Sequence, residues 1–162
     1  MENILLVLGG LLIVGAIITG LQFFQRRYLL NSVQLKQIDQ MKGNEFEEYL
    51  TVLFQELGYA AKKTKHSGDF GVDVLLKKEG RTIAIQAKRY RQKVSLQAVQ
   101  EVVAGKYYYK ADDAWVVTNS LFTDAARELA IPNKVQLIGR YELIELIKQA
   151  KKNEKKSPVP NQ

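Results

Sequence analysis

The sequence predicts an α/β fold: a mixed β-sheet flanked by helices and preceded by one transmembrane helix. Three observations predict it. Residues 4–24, ILLVLGGLLIVGAIITGLQFF, carry no charge and are long enough to cross a hydrocarbon core of about 30 Å as a helix. After residue 43 the apolar pattern switches between helical stripes and short strand-like runs. Those runs come first as a cluster of three and then alternate with helices, which makes a strand meander followed by βα units.

Taken in order, the apolar run has only Glu2 ahead of it, and neither a basic region nor a small-x-small cleavage site marks it as a signal peptide. Arg26 and Arg27 follow it directly. The positive-inside bias therefore places the C-terminal part in the cytoplasm, with residues 1–27 as a single-pass anchor in the cell membrane. Ala16 and Gly20 have the small-xxx-small spacing that lets two membrane helices approach. Residues 28–42, YLLNSVQLKQIDQMK, read as a juxtamembrane linker.

From about Asn44 to Leu57, the side chains of Phe46, Leu50, Leu53, Phe54 and Leu57 share one helical stripe, and Gly58 is the stop. Strand-like runs follow at Tyr59–Lys65, Val72–Lys77 and Arg81–Lys88, the last two joined by the turn sequence KEG and hence antiparallel. Ser95 is the expected N-cap of a helix carrying Leu96, Val99, Val102 and Val103 and ending in YYYKADD. Ala114–Thr118 reads as a buried strand, Thr123–Ala130 as a short helix closed by Pro132, Val135–Ile138 as a strand and Tyr141–Lys148 as the last helix. Residues 149–162, basic and proline-containing, read as a disordered tail. The globular domain is thus expected over residues 43–148.

Composition narrows the function classes. The chain has 162 residues and a formal net charge of +7, which favours a polyanionic partner, nucleic acid or an anionic membrane surface. It has no cysteine, so disulfides, thiolate zinc sites and cysteine nucleophiles are excluded. His66 is the only histidine, which excludes chemistry that needs two imidazoles.

The chemistry concentrates around IAIQAKRY, residues 83–90. Strand alternation turns Gln86 and Lys88 to one face and Ile83, Ile85 and Ala87 to the other. Asp73, in GVDVLL, begins the preceding strand, so the hairpin brings it to the same rim as Lys88. Glu47 lies about 100° from Phe46 around the first domain helix, on the margin of the buried stripe, whereas Glu48 at about 200° faces water. Taken singly, these residues read as a strand-edge carboxylate, a solvated strand end and a boundary glutamate. Together, two carboxylates, an amide oxygen and a lysine suit a hard divalent cation such as Mg²⁺. Such a cation activates water and neutralises phosphoryl charge, while the ammonium orients the water, so phosphodiester hydrolysis is the reaction these parts fit. The adjoining basic cluster Lys88, Arg89, Arg91 and Lys93 suits contacts along a phosphate backbone. The loop with His66, Ser67, Gly68 and Gly71 would let the backbone approach a phosphate.

Five segments, GNEFEEYLTVLFQELGY, HSGDFGVDVLL, IQAKRY, WVVTNSLFTDAAREL and VQLIGRYEL, resemble the catalytic domain of Mrr-type restriction endonucleases, within the PD-(D/E)xK nuclease superfamily. The resemblance covers about Gly43 to Ile147. It implies a restriction-endonuclease-like fold and a Mg²⁺-dependent DNA endonuclease, with Mn²⁺ as an alternative ion and no small-molecule cofactor. Asp73, Gln86 and Lys88 take the acidic, variable and lysine positions of the motif, and Glu47 the helical acidic position that completes metal binding. It implies a homodimer, because cutting two strands needs two sites. Gln86 stands where Asp or Glu is commoner, which removes one negative charge from the site. A membrane helix occupies the place where such enzymes carry a DNA-reading domain. The alternative reading is a catalytically inactive, membrane-tethered DNA-binding protein of the same fold.

Overall fold

In the computed structural model, which describes residues 35–64 and 70–156 together with residues 10, 13–15, 17, 18, 20 and 21, the chain divides into two units, Met1–Ser32 and Val33–Gln162. The described residues of the first unit are helical, and Ile13, Val14, Ile17, Ile18 and Leu21 are exposed there. Among the described residues no helix is long and apolar enough to cross a membrane, and most of the apolar run 4–24 lies outside them.

The second unit contains helices α1 (Leu35–Ile38) and α2 (Gly43–Glu56), strands β1 (Ala60–Lys63), β2 (Val74–Lys78) and β3 (Arg81–Lys88), then α3 (Leu96–Tyr108), β4 (Asp113–Thr118), α4 (Asp124–Ala130), β5 (Val135–Ile138) and α5 (Arg140–Lys156). The strands form one sheet in chain order, antiparallel from β1 to β3 and parallel from β3 to β5. This is the mixed sheet flanked by helices that the pattern predicts.

Local chemistry explains the topology. In the KEG turn Glu79 and Gly80 both have positive φ, 51° and 79°, the sign of a two-residue turn whose twist matches a hairpin. Lys78 therefore pairs with Arg81, and the register runs back to Val74 opposite Ile85. Parallel strands need crossovers, and α3 and α4 supply them. Thr123 caps α4 by accepting the Ala126 N–H at 3.2 Å.

Both crossover helices cover one face of the sheet: Val99, Val102, Ala126 and Ala130 pack with Ala84, Ala114 and Val116. Period two turns Ile83 and Ile85 to the other face, where α2 contributes Phe46, Tyr49, Leu50, Leu53 and Phe54. Helices on both sides make β3 continuously buried from Ile83 to Gln86.

Two expectations at the domain's ends change. The last helix does not stop at Lys148 but continues through Lys156, because Ile147 and Ala150 keep one of its faces buried. Of the tail read as disordered, residues 157–162 lie outside the described residues. The segment read as a linker also joins the domain, since α1 buries Ile38 completely.

Candidate active site

Asp73 precedes β2, and its N–H donates to the Ile85 carbonyl at 2.7 Å. Ile85 already pairs with Val74, so the ladder slips by one residue at Asp73, the pattern of a β-bulge, which re-aims a side chain. The Gln86 Nε2 accordingly donates to Asp73 Oδ2 at 2.6 Å, and the Ala87 N–H donates to the same oxygen at 2.7 Å. The main chain of Asp73 is held from the other side, where its carbonyl accepts the Thr64 N–H at 3.0 Å.

An ionised carboxylate can only accept, so the Gln86 amide must turn its NH₂ toward Asp73 and its carbonyl oxygen away. That Oε1 is buried and has no hydrogen-bond partner among the described residues, in a side chain only 5% exposed. Leaving such an acceptor unpaired costs about 1–3 kcal/mol. A cation that seeks oxygen would relieve the cost. A carboxylate and a carbonyl oxygen fit a hard divalent ion that keeps most of its own waters, not a closed protein cage. Among the described residues no three His, Cys, Asp or Glu side chains gather as such a cage would require.

Lys88 lies two residues beyond Gln86 on the same face, the one covered by α3. Its Nζ meets Glu101 Oε2 of that helix at 2.6 Å, a partly buried ion pair. Sequence reasoning missed Glu101. Its signal was present: Glu101 sits between Ala98 and Gly105, three and four residues away on the same helical face, so small residues flank a carboxylate where a core stripe is expected. A notch of about 20 Å³ opens beside Lys88, lined by Tyr90, Ser95 and Gln97 among others, room for one water.

Glu47 is half-buried and Glu48 exposed, as the helical margin predicts. The Glu47 carboxylate is engaged elsewhere, with Lys63 of β1 at 3.0 Å. The structure thus brings Asp73, Gln86 and Lys88 to one end of the β2–β3 hairpin and pairs Glu47 separately.

The basic loop after β3 is pinned at both ends. The Tyr90 N–H donates to Asn119 Oδ1 at 2.9 Å, and the Val94 N–H donates to the Leu121 carbonyl at 2.8 Å. Between these pins Arg91 and Lys93 are exposed, while Arg89 is half-buried with its Nε lacking a partner among the described residues. Asn119 in turn donates to Asp39 Oδ1 at 2.8 Å, and Arg140 donates to both Asp39 oxygens at 2.7 and 2.9 Å. The Arg140 hydrogen bond holds the Asp39 carboxyl below its ordinary value against the opposing effect of burial. His66, Ser67 and Gly68 lie outside the described residues. Gly71 is described, with φ +78°, and its open side is filled by Glu101.

Two clefts of about 500 and 420 Å³ share no lining residue with this site. Duplex nucleic acid is gripped on an open surface by phosphate contacts, so its site needs no deep cavity.

Comparison with curated proteins found no match. The fold resembles AF1548, a protein of unknown function, at TM-score 0.58 and 18% identity over 68% of this chain and 67% of that one. It also resembles the MspJI restriction endonuclease, solved in complex with a 27-mer oligonucleotide, at TM-score 0.54 and 23% identity over 74% of this chain and 32% of that one. A third neighbour is AspBHI, a DNA modification-dependent restriction endonuclease, at TM-score 0.56 and 17% identity over 78% and 35%. At such identities the likeness is one of fold, and the chain spans about a third of either restriction enzyme. The profile of the Mrr_cat restriction endonuclease family matches residues 38–147, from the buried Ile38 through the last core turn of α5. With that span and this fold, the chain belongs to the Mrr_cat family of restriction endonucleases.

Proposed function

We propose that this chain is a membrane-anchored DNA endonuclease that hydrolyses phosphodiester bonds with Mg²⁺, or with Mn²⁺ in its place. The observation that carries the reading is the Asp73–Gln86 hydrogen bond, which leaves a buried, unpartnered amide oxygen on Gln86, with Lys88 two residues on along the same strand face. Asp73 and Gln86 would hold the cation, and Glu47 would complete its shell after leaving Lys63. A cation bound there supplies a water of lowered pKa and offsets charge on the phosphoryl oxygens. Lys88 orients the attacking water and stabilises charge building on the phosphate as the water oxygen bonds to phosphorus and an ester oxygen leaves. Arg89, Arg91 and Lys93, with His66, Ser67 and Gly68, contact the DNA backbone.

The membrane part of the reading rests on the uncharged run 4–24, on its exposed apolar helical residues and on Arg26 and Arg27. It makes the protein single-pass, with the nuclease domain in the cytoplasm. Two sites for two strands make a homodimer, which the Ala16–Gly20 spacing supports.

The test takes the full chain from carbonate-washed membranes, where the anchor should retain it, and incubates it in detergent with plasmid DNA. Cleavage should require the divalent ion and fall about 100-fold or more in Asp73→Ala and in Lys88→Ala. Persistence in both variants sinks the site, and release by carbonate removes the anchor. Failure to cut plasmid, methylated, branched or single-stranded DNA favours a DNA-binding role without turnover.

A further inference from the structure

Lysine carries a compact charge on a four-carbon stem that swings freely unless something holds it. At the end of β3 that something is Glu101. Its carboxylate lies 2.6 Å from Lys88 Nζ, and the two side chains are only 30% and 19% exposed. The other carboxylate oxygen accepts from Gln97 Nε2 at 3.0 Å, one turn earlier on α3. An ordinary surface ion pair has neither the burial nor the second anchor, and contributes little.

The backbone beneath Glu101 is fixed as firmly as its side chain. A Cβ added at Gly71 would stand 2.7 Å from both the Glu101 Cβ and its carbonyl oxygen, so the two main chains touch where glycine alone fits. One turn on, a Cβ at Gly105 would overlap Val72 and lie 2.6 Å from the Phe70 carbonyl. Helix α3 is therefore seated on residues 70–72, the segment that leads directly into Asp73. The same segment that fixes the backbone of Glu101 therefore also fixes the chain entering Asp73.

We propose that Glu101 is a positioning residue of the nuclease site. It holds the Lys88 ammonium at the Asp73–Gln86 end of the sheet, engaging one side of it and leaving its other N–H groups for the scissile phosphate and the attacking water. This rests on the nuclease reading of the site, and deepens it by naming the group that aims the lysine. Gln86 and Lys88 are legible from strand alternation, whereas Glu101 enters only through the seating of α3.

The experiment compares the full chain with Glu101→Gln, Glu101→Asp, Lys88→Ala and the Lys88→Ala/Glu101→Gln double variant. Glu101→Gln should lower kcat about 10- to 100-fold, the scale of a misplaced catalytic group, with KM for DNA within about twofold. Glu101→Asp should recover part of the loss, because the charge is restored on a shorter arm. The double variant should be no worse than Lys88→Ala alone, as expected for residues that act as one unit. Thermal unfolding should show Glu101→Gln fully folded at the assay temperature, so that the loss in kcat is not a loss of folded protein. An independent readout is the ¹⁵N signal of the Lys88 ammonium, which should be present in the wild type and lost in Glu101→Gln. A kcat within twofold of wild type in Glu101→Gln, an additive double variant, or a Lys88 signal indifferent to Glu101 overturns the proposal. A wild type that does not cut, with the Lys88 signal still dependent on Glu101, overturns the nuclease reading and the positioning role while leaving the ion pair in place.

Discussion

At Asp73 the surroundings set what a single carboxylate does to its neighbours. Its carboxylate takes two donors from β3, and the consequence falls on Gln86, whose carbonyl oxygen is left buried and unpaired. Tyr49 is a second residue with a buried, unpartnered polar atom among the described residues, but it lies in the apolar core of α2. Its hydroxyl has no visible use. Tyr49→Phe keeps the ring and removes the orphan, so urea unfolding should show stability unchanged or raised by up to about 1 kcal/mol at neutral pH. Burial pushes the Tyr49 phenol above its ordinary value. A raised folded value means its contribution is complete below the unfolded value near 10 and is lost as pH rises beyond it. The advantage of the Phe variant should therefore grow above that pH. A Phe variant that is less stable at every pH would show that the hydroxyl has a partner.

Among the elements, α1 is the one whose contribution the sequence hid. It is four residues long, yet Asp39 just beyond it ties Arg140 at the start of α5 to Asn119 at the end of β4. Asn119 then holds the Tyr90 end of the basic loop. Asp39 is held below its ordinary carboxyl value, chiefly by the Arg140 hydrogen bond. A depressed value means the contribution is present above the unfolded carboxyl value and lost as pH falls through the folded one. Both partners are about a third exposed, so screening limits the pair to about 1 kcal/mol or less. Asp39→Asn should destabilise by that amount at pH 7 and by nothing measurable near pH 2 in urea titrations. An equal cost at both pH values would assign the effect to packing and not to charge. A domain fragment begun at Gly43 discards Asp39 and Ile38 and should be less stable than one begun at Val33.

At the scale of the whole molecule, the proposed encounter with DNA would be governed by charge. The net charge of +7 supplies a general attraction, and the pinned loop places Arg91 and Lys93 in solvent beside Lys88. If each neutralises one phosphate, Arg91→Ala and Lys93→Ala should each reduce the slope of log affinity against log salt by about 1. The measurement is fluorescence anisotropy on labelled duplex across a salt series with Ca²⁺ in place of Mg²⁺. An unchanged slope in both variants would remove the loop from the DNA interface.

By itself the sequence determined the element order, the hairpin at KEG and the shared face of Gln86 and Lys88. Each of these follows from local rules: helical and strand periodicity, and the backbone freedom of the Glu79–Gly80 turn. It placed Asp73 on the same rim as Lys88 because the KEG hairpin makes the two strands antiparallel neighbours. Only the tertiary structure decided that the Lys88 face is itself covered by α3, that Glu101 meets the lysine there, that Glu47 pairs with Lys63, and that Asp39 belongs to the domain. Those contacts join residues far apart in the chain, and their spacing is set by how closely two backbones approach. At Gly71 and Gly105 that approach depends on the absence of a side chain, whose effect shows only when the opposing surface is in place.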